Sequence, residues 1–252
     1  MSRALSFGSV AASYERFRPG YPDELVEEVL AYAGRPVRTA LEIGAGTGKA
    51  TRVFAARGIA VTATDPDAAM LEELRKHVPA TVTREQGAFE DLALDSTYDL
   101  VFAAAALHWT EPTGRWARVA ALLNPGGTFA SFGGQLHLAD PEVEAAVRAA
   151  RAPFLADDEF PSPDGTPADS PMQWPGTELT RSDLFDDVRQ TTIERRPTMS
   201  DRDYVGHLAT VSAYIELPAT EREDVLARIL DVLPERVTLM ADLTLHLARR
   251  GG

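Results

Sequence analysis

Glycines at alternating positions, with carboxylates nearby, are the residues of this sequence best suited to holding a ligand. Gly44, Gly46 and Gly48 occur as GAGTG between a predicted strand and a predicted helix, and Glu42 precedes them. Glycine is needed where a chain turns sharply and a ligand must approach the backbone closely. Asp65 follows about twenty residues later, where a carboxylate can accept hydrogen bonds from both hydroxyls of a ribose. The turn and the acid together indicate a ribose-containing ligand more specifically than either feature does alone.

Two other glycine motifs fit this segment less well. A phosphate-binding P-loop needs GxxxxGK followed by Ser or Thr, but Ile43 occupies the position of its first glycine and Ala50 follows Lys49. A dinucleotide-binding turn needs a glycine where Lys49 stands. A purely structural turn stays open, and Asp65 could also cap the helix that follows it.

The elements that must position these residues alternate between strands and helices. Short apolar runs bounded by glycine or proline predict strands, and amphipathic segments predict helices. The predicted strands are 39–43, 59–64, 81–86, 98–104, 128–132, 188–194 and 237–247. The predicted helices are 23–33, 47–57, 67–77, 112–123, 141–151, 200–215 and 219–233, and 152–177 is a long proline-rich loop. This order predicts a parallel sheet covered by helices on both faces.

The composition is that of an ordinary globular protein. The chain has 252 residues, of which 44% are hydrophobic and 25% charged, with a formal net charge of -13 and no cysteine. The negative charge disfavours a nucleic-acid partner, and the absence of cysteine excludes disulfides and zinc–thiolate sites. The five histidines show no metal-ligand spacing, so no metal is expected. No leader or membrane-spanning stretch is seen, which leads us to expect a cytoplasmic protein without a membrane partner.

Five motifs carry a resemblance to a known family. LEIGAGTGK, TATDPD, GAFEDL, YDLVFAAAALHW and LNPGG occur in the order and spacing of class I S-adenosylmethionine-dependent methyltransferases. The chain most closely resembles the bacterial small-molecule, type 11-like methyltransferases of that class. The resemblance implies an α/β, Rossmann-like fold with a seven-stranded, mostly parallel sheet whose last strand is antiparallel, and a helical lid. It implies S-adenosyl-L-methionine as cofactor and S-adenosyl-L-homocysteine as product.

The resemblance also implies an organisation and an activity. The expected segments are N-terminal covering helices at 1–36, a cofactor-binding core at 37–136, a lid and acceptor region at 137–233 with a strand at 186–196, and a closing strand at 234–252. The expected activity is in-line methyl transfer to an O, N or C atom of a small-molecule acceptor by a monomer or homodimer. Cofactor binding without catalysis, a peptide or protein acceptor, and a nucleotide-dependent oxidoreductase are the alternatives.

The resemblance assigns roles to individual residues. The expected cofactor contacts are Arg18, Glu42, Gly44, Ala45, Gly46, Asp65, Pro66, Ala88, Phe89, Glu90, Ala104, Ala105 and Trp109. Many relatives have an aspartate where this chain has Ala88, so Glu90 or backbone groups are the candidates for the contact with the adenine amino group.

The remaining candidates concern the acceptor. His108 lies after a strand, at the edge where open α/β sheets bind ligands, and is a candidate general base together with Tyr14. Tyr21, Trp174 and Tyr214 are candidates for the acceptor pocket. Burial in the core, or a surface position for Arg18, is the ordinary structural explanation that each of these residues also has.

Overall fold

The computed structural model describes residues 7–155 and 162–252, so the expected segment 1–36 and the loop 152–177 each lie partly outside the described residues. The chain divides into two compact units. We call core unit the described residues of 20–133, 162–193 and 244–252. We call second unit the described residues of 7–19, 134–155 and 194–243.

A seven-stranded sheet forms the centre of the core unit. With strands labelled in chain order, it contains β1 (Thr39–Ile43), β2 (Ala60–Asp65), β3 (Thr83–Gln86), β4 (Tyr98–Ala104), β5 (Leu123–Gly133), β7 (Phe185–Ile193) and β10 (Leu243–Arg250). Their order is β3-β2-β1-β4-β5-β10-β7. The pairs from β3 to β5 are parallel, and β10 runs antiparallel to β5. The sequence prediction of a mostly parallel sheet with an antiparallel last strand is confirmed.

Helices cover this sheet where the sequence is amphipathic. In chain order they are α2 (Asp23–Ala33), α3 (Thr51–Ala55), α4 (Ala68–Arg75), α5 (Arg115–Leu122) and α7 (Gly176–Thr180). The central strands β1 and β4 are almost entirely buried, as expected for parallel strands with helices on both faces, whereas the edge strand β3 is exposed. Because β1 pairs in parallel with β2 and with β4, the carboxyl ends of these strands lie next to one another at one edge of the sheet. The loops that follow them carry predicted cofactor contacts.

The second unit combines helices with a small sheet. Its helices are α1 (Ala11–Phe17), α6 (Pro141–Arg151), α8 (Asp201–Leu208), α9 (Ser212–Ile215) and α10 (Ala219–Val232). Its strands are β6 (His137–Leu138), β8 (Thr198–Ser200) and β9 (Arg236–Met240), in the order β6-β9-β8 with antiparallel pairing. Its buried core includes Val147, Tyr204, Tyr214, Ile229 and Leu239.

Two predicted elements have the wrong extent. Hydrophobic alternation and helical spacing do not show which other segments a strand or helix contacts, and these contacts decide where it ends. The single strand predicted at 237–247 is two strands, β9 in the small sheet and β10 in the large one. Asp242 separates them, and its side chain accepts a hydrogen bond from the backbone N–H of Arg195 (2.9 Å). The helix predicted at 200–215 breaks between α8 and α9, where the Thr210 hydroxyl donates to the carbonyl of His207 (2.7 Å).

The helix predicted at 47–57 is also shorter than expected. It is observed only at Thr51–Ala55. Gly48 has φ +83°, a left-handed conformation, so the glycine turn continues for several residues before regular helix begins. The turn is consequently longer than its motif indicates.

Candidate cofactor and active site

The glycine turn after β1 is an open cradle. Gly44 and Gly46 have φ of +66° and +54°, a region that favours glycine. A Cβ on Gly44 would lie 2.5 Å from the Cβ of Ala106, so this glycine is required by close packing. A Cβ on Gly46 would have no atom of the described residues within 4 Å, apart from those of its two chain neighbours. The backbone N–H of Ala45 donates to the carbonyl of Thr64 (2.8 Å), which ties the turn to β2.

The acid at the end of β2 is bonded to that turn. Asp65 Oδ2 accepts a hydrogen bond from the backbone N–H of Gly46 (2.9 Å), and Oδ1 accepts one from the N–H of Asp67 (2.8 Å). Burial raises the pKa of Asp65, and the two backbone hydrogen bonds counter that rise. Pro66 follows it, half-buried, and its carbonyl accepts from the side-chain amide of Gln86 (3.3 Å).

Glu42 is a buried acid beneath the turn. Its residue is 1% exposed, and Oε2 accepts a hydrogen bond from the Thr51 hydroxyl (2.5 Å). The other oxygen, Oε1, has no hydrogen-bond partner among the described residues. Burial raises the pKa of Glu42 to about 8, partly offset by the Thr51 hydroxyl. A buried carboxyl group with an unsatisfied oxygen would be stabilised by a hydrogen-bond donor or a cationic group beside it.

The turn after β3 reaches the same edge of the sheet. The N–H of Gly87 donates to the backbone carbonyl of Asp65 (3.1 Å), which brings Ala88 close to the end of β2. Phe89 is 5% exposed and belongs to the hydrophobic core of the unit. Glu90 is exposed, and its Oε1 accepts from the N–H of Glu111 (2.6 Å).

The segment after β4 carries the candidate base. Ala105, which follows Ala104, has φ +53°, a conformation that costs an L-residue about 1–2 kcal/mol. A short helical turn, Leu107–Trp109, follows. His108 and Trp109 are both exposed, with ring centroids 4.7 Å apart. Surrounding protein atoms, and secondarily the charge of Arg115, lower the pKa of His108, which favours the neutral imidazole that a general base requires.

Comparison with known proteins finds relatives of this chain. Residues 41–131 match the family model described as a methyltransferase domain. An uncharacterized methyltransferase of Mycobacterium tuberculosis is 44% identical over 125 residues, which are 49% of this chain and 50% of that protein. The chain thus spans about half the length of the curated relatives that it matches first.

Solved structures extend the likeness over the fold. A protein named as a type II methyltransferase, from Anaeromyxobacter dehalogenans, has 26% identity and a TM-score of 0.61, and the match covers 93% of this chain and 97% of that one. Phosphoethanolamine N-methyltransferase 2 of Haemonchus contortus, solved with S-adenosyl-L-methionine, has 16% identity and a TM-score of 0.54, over 97% of this chain and 57% of that one. The second likeness concerns the fold alone.

Residues 41–131 of this chain carry a methyltransferase domain. S-adenosylmethionine, its cofactor, contains a ribose, an adenine, a carboxylate and an ammonium group beside a cationic sulfur. The residues of the core unit fit such a molecule. The cradle at Gly46 is open, and Asp65 can accept hydrogen bonds from ribose hydroxyls. Glu42 Oε1, which has no hydrogen-bond partner in the described part of the chain, is an acceptor suited to an ammonium group. No cluster of His, Asp or Glu able to hold a metal ion occurs in the described part of the chain.

Two of the predicted acceptor residues lie in the core unit. The ring of Tyr21 lies edge-on to Phe132, with 5.1 Å between centroids, and Phe132 pairs with Ala104 at the end of β4. Tyr21 is thus near the edge that carries the predicted cofactor contacts. Trp174 instead packs against the hydrophobic core, with the guanidinium of Arg115 5.4 Å from its ring centroid.

The other candidates belong to the second unit. Arg18 donates through Nε to the Thr210 hydroxyl (2.8 Å) and through Nη2 to the Thr210 carbonyl (2.9 Å). Its guanidinium carbon lies 5.2 Å from the centroid of Tyr14. Tyr214 is 1% exposed in the core of that unit. The cofactor role of Arg18, the catalytic role of Tyr14 and the acceptor role of Tyr214 stay predictions.

Sequence reasoning missed Arg115 and Glu178. Arg115 is 3% exposed, and its Nη1 lies 3.5 Å from Glu178 Oε2. The sequence gives little indication that Arg115 is buried, because an arginine at the start of an amphipathic helix is usually exposed to solvent. Only the folded chain brings Glu178 from α7 against it.

Finally, none of the helices in the described ranges is long and apolar enough to cross a membrane.

Proposed function

We propose that this chain transfers a methyl group from S-adenosylmethionine to an O, N or C atom of a small-molecule acceptor. The observation that carries the proposal is the cradle of Gly44 and Gly46, open on the Gly46 side and bounded by the carboxylate of Asp65. Both glycines adopt conformations that other residues avoid, and that cost is repaid where a ligand must approach the backbone.

The cofactor would supply a methyl group on a cationic sulfur. Asp65 would accept hydrogen bonds from the ribose, and Glu42 would accept one from the ammonium group. His108, exposed and favoured in its neutral form, would take the proton of an acceptor that begins protonated. The remaining task of the protein is to hold the nucleophile in line with the methyl–sulfur bond and to keep water away.

The charge of the chain supports a small acceptor over a nucleic acid. A formal net charge of -13 repels phosphate backbones, which nucleic-acid enzymes bind through concentrated basic surfaces. A peptide acceptor keeps the same chemistry and is the alternative for the partner. A binding protein that holds the cofactor without catalysis is the alternative for the activity.

Binding and turnover can be tested separately. Calorimetric titration with S-adenosylhomocysteine should give saturable binding, whereas NAD should give none; the reverse result would contradict the proposal. Incubation with S-adenosylmethionine carrying a labelled methyl group, over a panel of carboxylates, phenols, amines and peptides, should then yield a labelled small molecule. Cofactor binding without labelling of any acceptor would favour the binding protein.

The role of His108 is tested by substitution. His108→Ala should lower turnover by about a hundredfold while cofactor affinity is retained, because general-base catalysis contributes about 10²–10⁴. His77→Ala is the matched control, since His77 is a surface residue that contacts Glu73 (2.9 Å). A loss of turnover that is equal in both variants would return His108 to a structural role.

A further inference from the structure

A buried arginine is hydrogen-bonded to the residue that follows the turn carrying His108. Arg115 donates from Nε to the Thr110 hydroxyl (2.7 Å) and from Nη2 to the Thr110 carbonyl (2.7 Å). The Thr110 hydroxyl in turn donates to the carbonyl of Leu107 (2.7 Å), at the start of the turn. The first two bonds connect α5 directly to Thr110, which follows the turn, and the third connects Thr110 to Leu107, where the turn that carries His108 begins.

Arg115 is itself held by the segment around α7. Its Nη1 lies 3.5 Å from Glu178 Oε2, and the same oxygen accepts a hydrogen bond from the indole N–H of Trp116 (2.8 Å). The ring of Trp174 lies against the guanidinium. A buried cation is costly unless a carboxylate compensates it, so the position of Glu178 constrains the position of Arg115.

Hydrogen bonds within the described part of the proline-rich loop restrict the position of Glu178. Asp164 accepts hydrogen bonds from the hydroxyls of Thr166 (2.6 Å) and Thr177 (2.5 Å), and Thr177 is the residue before Glu178. The backbone N–H of Gln173 donates to the side chain of Gln190 on β7 (2.7 Å). This loop is therefore internally bonded and attached to the sheet.

We propose that Arg115 and Glu178 are positioning residues, which fix the orientation of the His108 ring for methyl transfer and link the 162–181 segment to the reactive edge of the sheet. The inference rests on the proposed function, because it assigns a purpose to the orientation of His108. Neither residue touches the reacting atoms. Both act through the Leu107–Trp109 turn.

Charges around His108 make the proposal measurable. Arg115 on α5 lowers the pKa of His108, after the larger effect of the protein atoms that surround the exposed ring. The charge of Arg115 is countered by Glu178 on α7, Glu90 on the turn after β3 and Glu111 beside Thr110. Removing the positive charge should therefore raise the pKa of His108, and removing the negative charge of Glu178 should lower it.

Three variants separate charge from geometry. Arg115→Lys keeps the charge and loses the paired hydrogen bonds to Thr110. Arg115→Met loses both. Glu178→Gln keeps an acceptor for the Trp116 indole and loses the charge. Arg118→Lys is the matched control: it lies on the same helix but donates to the carbonyls of Phe89 and Leu92.

Two readouts are expected to move. NMR titration of the His108 imidazole, assigned with His108→Gln, should show a higher pKa in Arg115→Met, a lower one in Glu178→Gln, and the wild-type value in Arg115→Lys and Arg118→Lys. Turnover should fall about tenfold or more in Arg115→Lys, with KM for S-adenosylmethionine within about twofold of the wild type, because misplacing a reacting group lowers the rate of the chemical step.

The outcomes distinguish this inference from the proposed function. The titration of His108 needs neither cofactor nor acceptor. Thermal unfolding identifies any variant that fails to fold. If the Arg115 variants do not fold, the His108 titration in Glu178→Gln tests the inference. An unaltered His108 titration in folded Glu178→Gln, together with wild-type turnover in Arg115→Lys, would overturn the inference. A wild-type protein that transfers no methyl group, but whose variants shift the titration as expected, would overturn the proposed function and leave the linkage of Arg115 to His108 supported.

Discussion

The carboxylate of Asp65 accepts a hydrogen bond from the backbone N–H of Gly46, with 2.9 Å between Oδ2 and the nitrogen. The acid at the end of β2 and the turn at the end of β1 are therefore a single bonded unit. A substitution at either residue should therefore change the shape of the cradle, in addition to the direct effect of the exchanged side chain.

Asp65→Asn tests the ribose contact. The variant loses the negative charge and one of two acceptor oxygens, and hydrogen bonds to charged groups contribute about 1.5–3 kcal/mol. We expect the Kd for S-adenosylhomocysteine, measured by calorimetry, to rise roughly tenfold or more. Asp67→Asn is the matched control, because asparagine can still accept the helix-capping bond from Ala69. Equal affinities in the two variants would remove Asp65 from the ribose role.

The two glycines of the cradle should respond differently to alanine. Gly44→Ala places a Cβ 2.5 Å from that of Ala106, so we expect a large drop in Tm from overpacking added to the cost of a left-handed alanine. The Cβ of Gly46→Ala would contact none of the described residues beyond its chain neighbours, so its cost to folding should be about 1–2 kcal/mol. Its main effect should be on cofactor affinity, since its Cβ would occupy the open side of the cradle.

Thermal unfolding and calorimetry measure these two effects independently. The expected pattern is a lower Tm for Gly44→Ala than for Gly46→Ala, and a weakened Kd in Gly46→Ala at a temperature where it is folded. A Gly46→Ala protein that binds S-adenosylhomocysteine like the wild type would show that the ligand does not approach this backbone.

The buried acid Glu42 should make cofactor binding depend on pH. Burial raises its pKa to about 8, so the free protein carries a proton on this group at neutral pH. An ammonium group beside it would favour the ionised form, so binding should release a proton below about pH 8. Affinity for S-adenosylhomocysteine should accordingly increase between pH 6 and 8, by up to about tenfold per pH unit, and level off above.

Glu42→Gln removes this titration and retains an acceptor for the Thr51 hydroxyl. We expect weaker binding with a flat pH profile, and no release of the Glu42 proton when calorimetry is repeated in buffers of different ionisation enthalpy. The stability of the free protein offers a second check. A carboxyl group whose folded pKa lies above its ordinary 4.5 opposes folding increasingly as pH rises from 4.5 to about 8, and the variant should lack this slope. Identical pH profiles in variant and wild type would exclude Glu42.

Buried His246 should weaken the fold in acid. Its residue is 3% exposed, Nε2 lies 2.9 Å from Gln190 Oε1, and burial lowers its pKa to about 4 from an ordinary 6.5. The unfolded chain binds a proton below pH 6.5, but the folded chain does not until about pH 4. The stabilising contribution is therefore complete above pH 6.5 and is lost as pH falls toward 4, at up to about 1.4 kcal/mol per pH unit.

Urea unfolding at pH 7 and pH 5 measures this loss. His246→Gln should show a smaller decrease in unfolding free energy than the wild type over that interval. The exposed His137 provides the matched control, and His137→Gln should keep the wild-type decrease. Parallel behaviour of both variants would assign the acid sensitivity to other groups.

The cofactor half of the domain could be predicted because its signals are local. The glycine turn needs left-handed backbone at Gly44 and Gly46, which only certain residue types permit, and β1 and β4 are apolar because both their faces are covered. The number of strands and the antiparallel direction of the last one followed from the family resemblance of these motifs, whereas the strand order came from the structure. Such features depend on neighbours within one strand–turn–helix unit, so the amino-acid order specifies them directly.

The remaining features depend on contacts between residues far apart in the chain. The period-two pattern of 237–247 correctly indicated extended chain but not the break at Asp242. Pairing of β9 with β6 and β8, and of β10 with β5, decides to which sheet each half belongs. The raised pKa of Glu42 and the compensation of Arg115 by Glu178 likewise require burial and distance. By itself the sequence determined the cradle and the acid that bounds it. The tertiary structure decided which charges are buried, which partners meet them and how the His108 turn is held, because these interactions exist only once distant segments pack together.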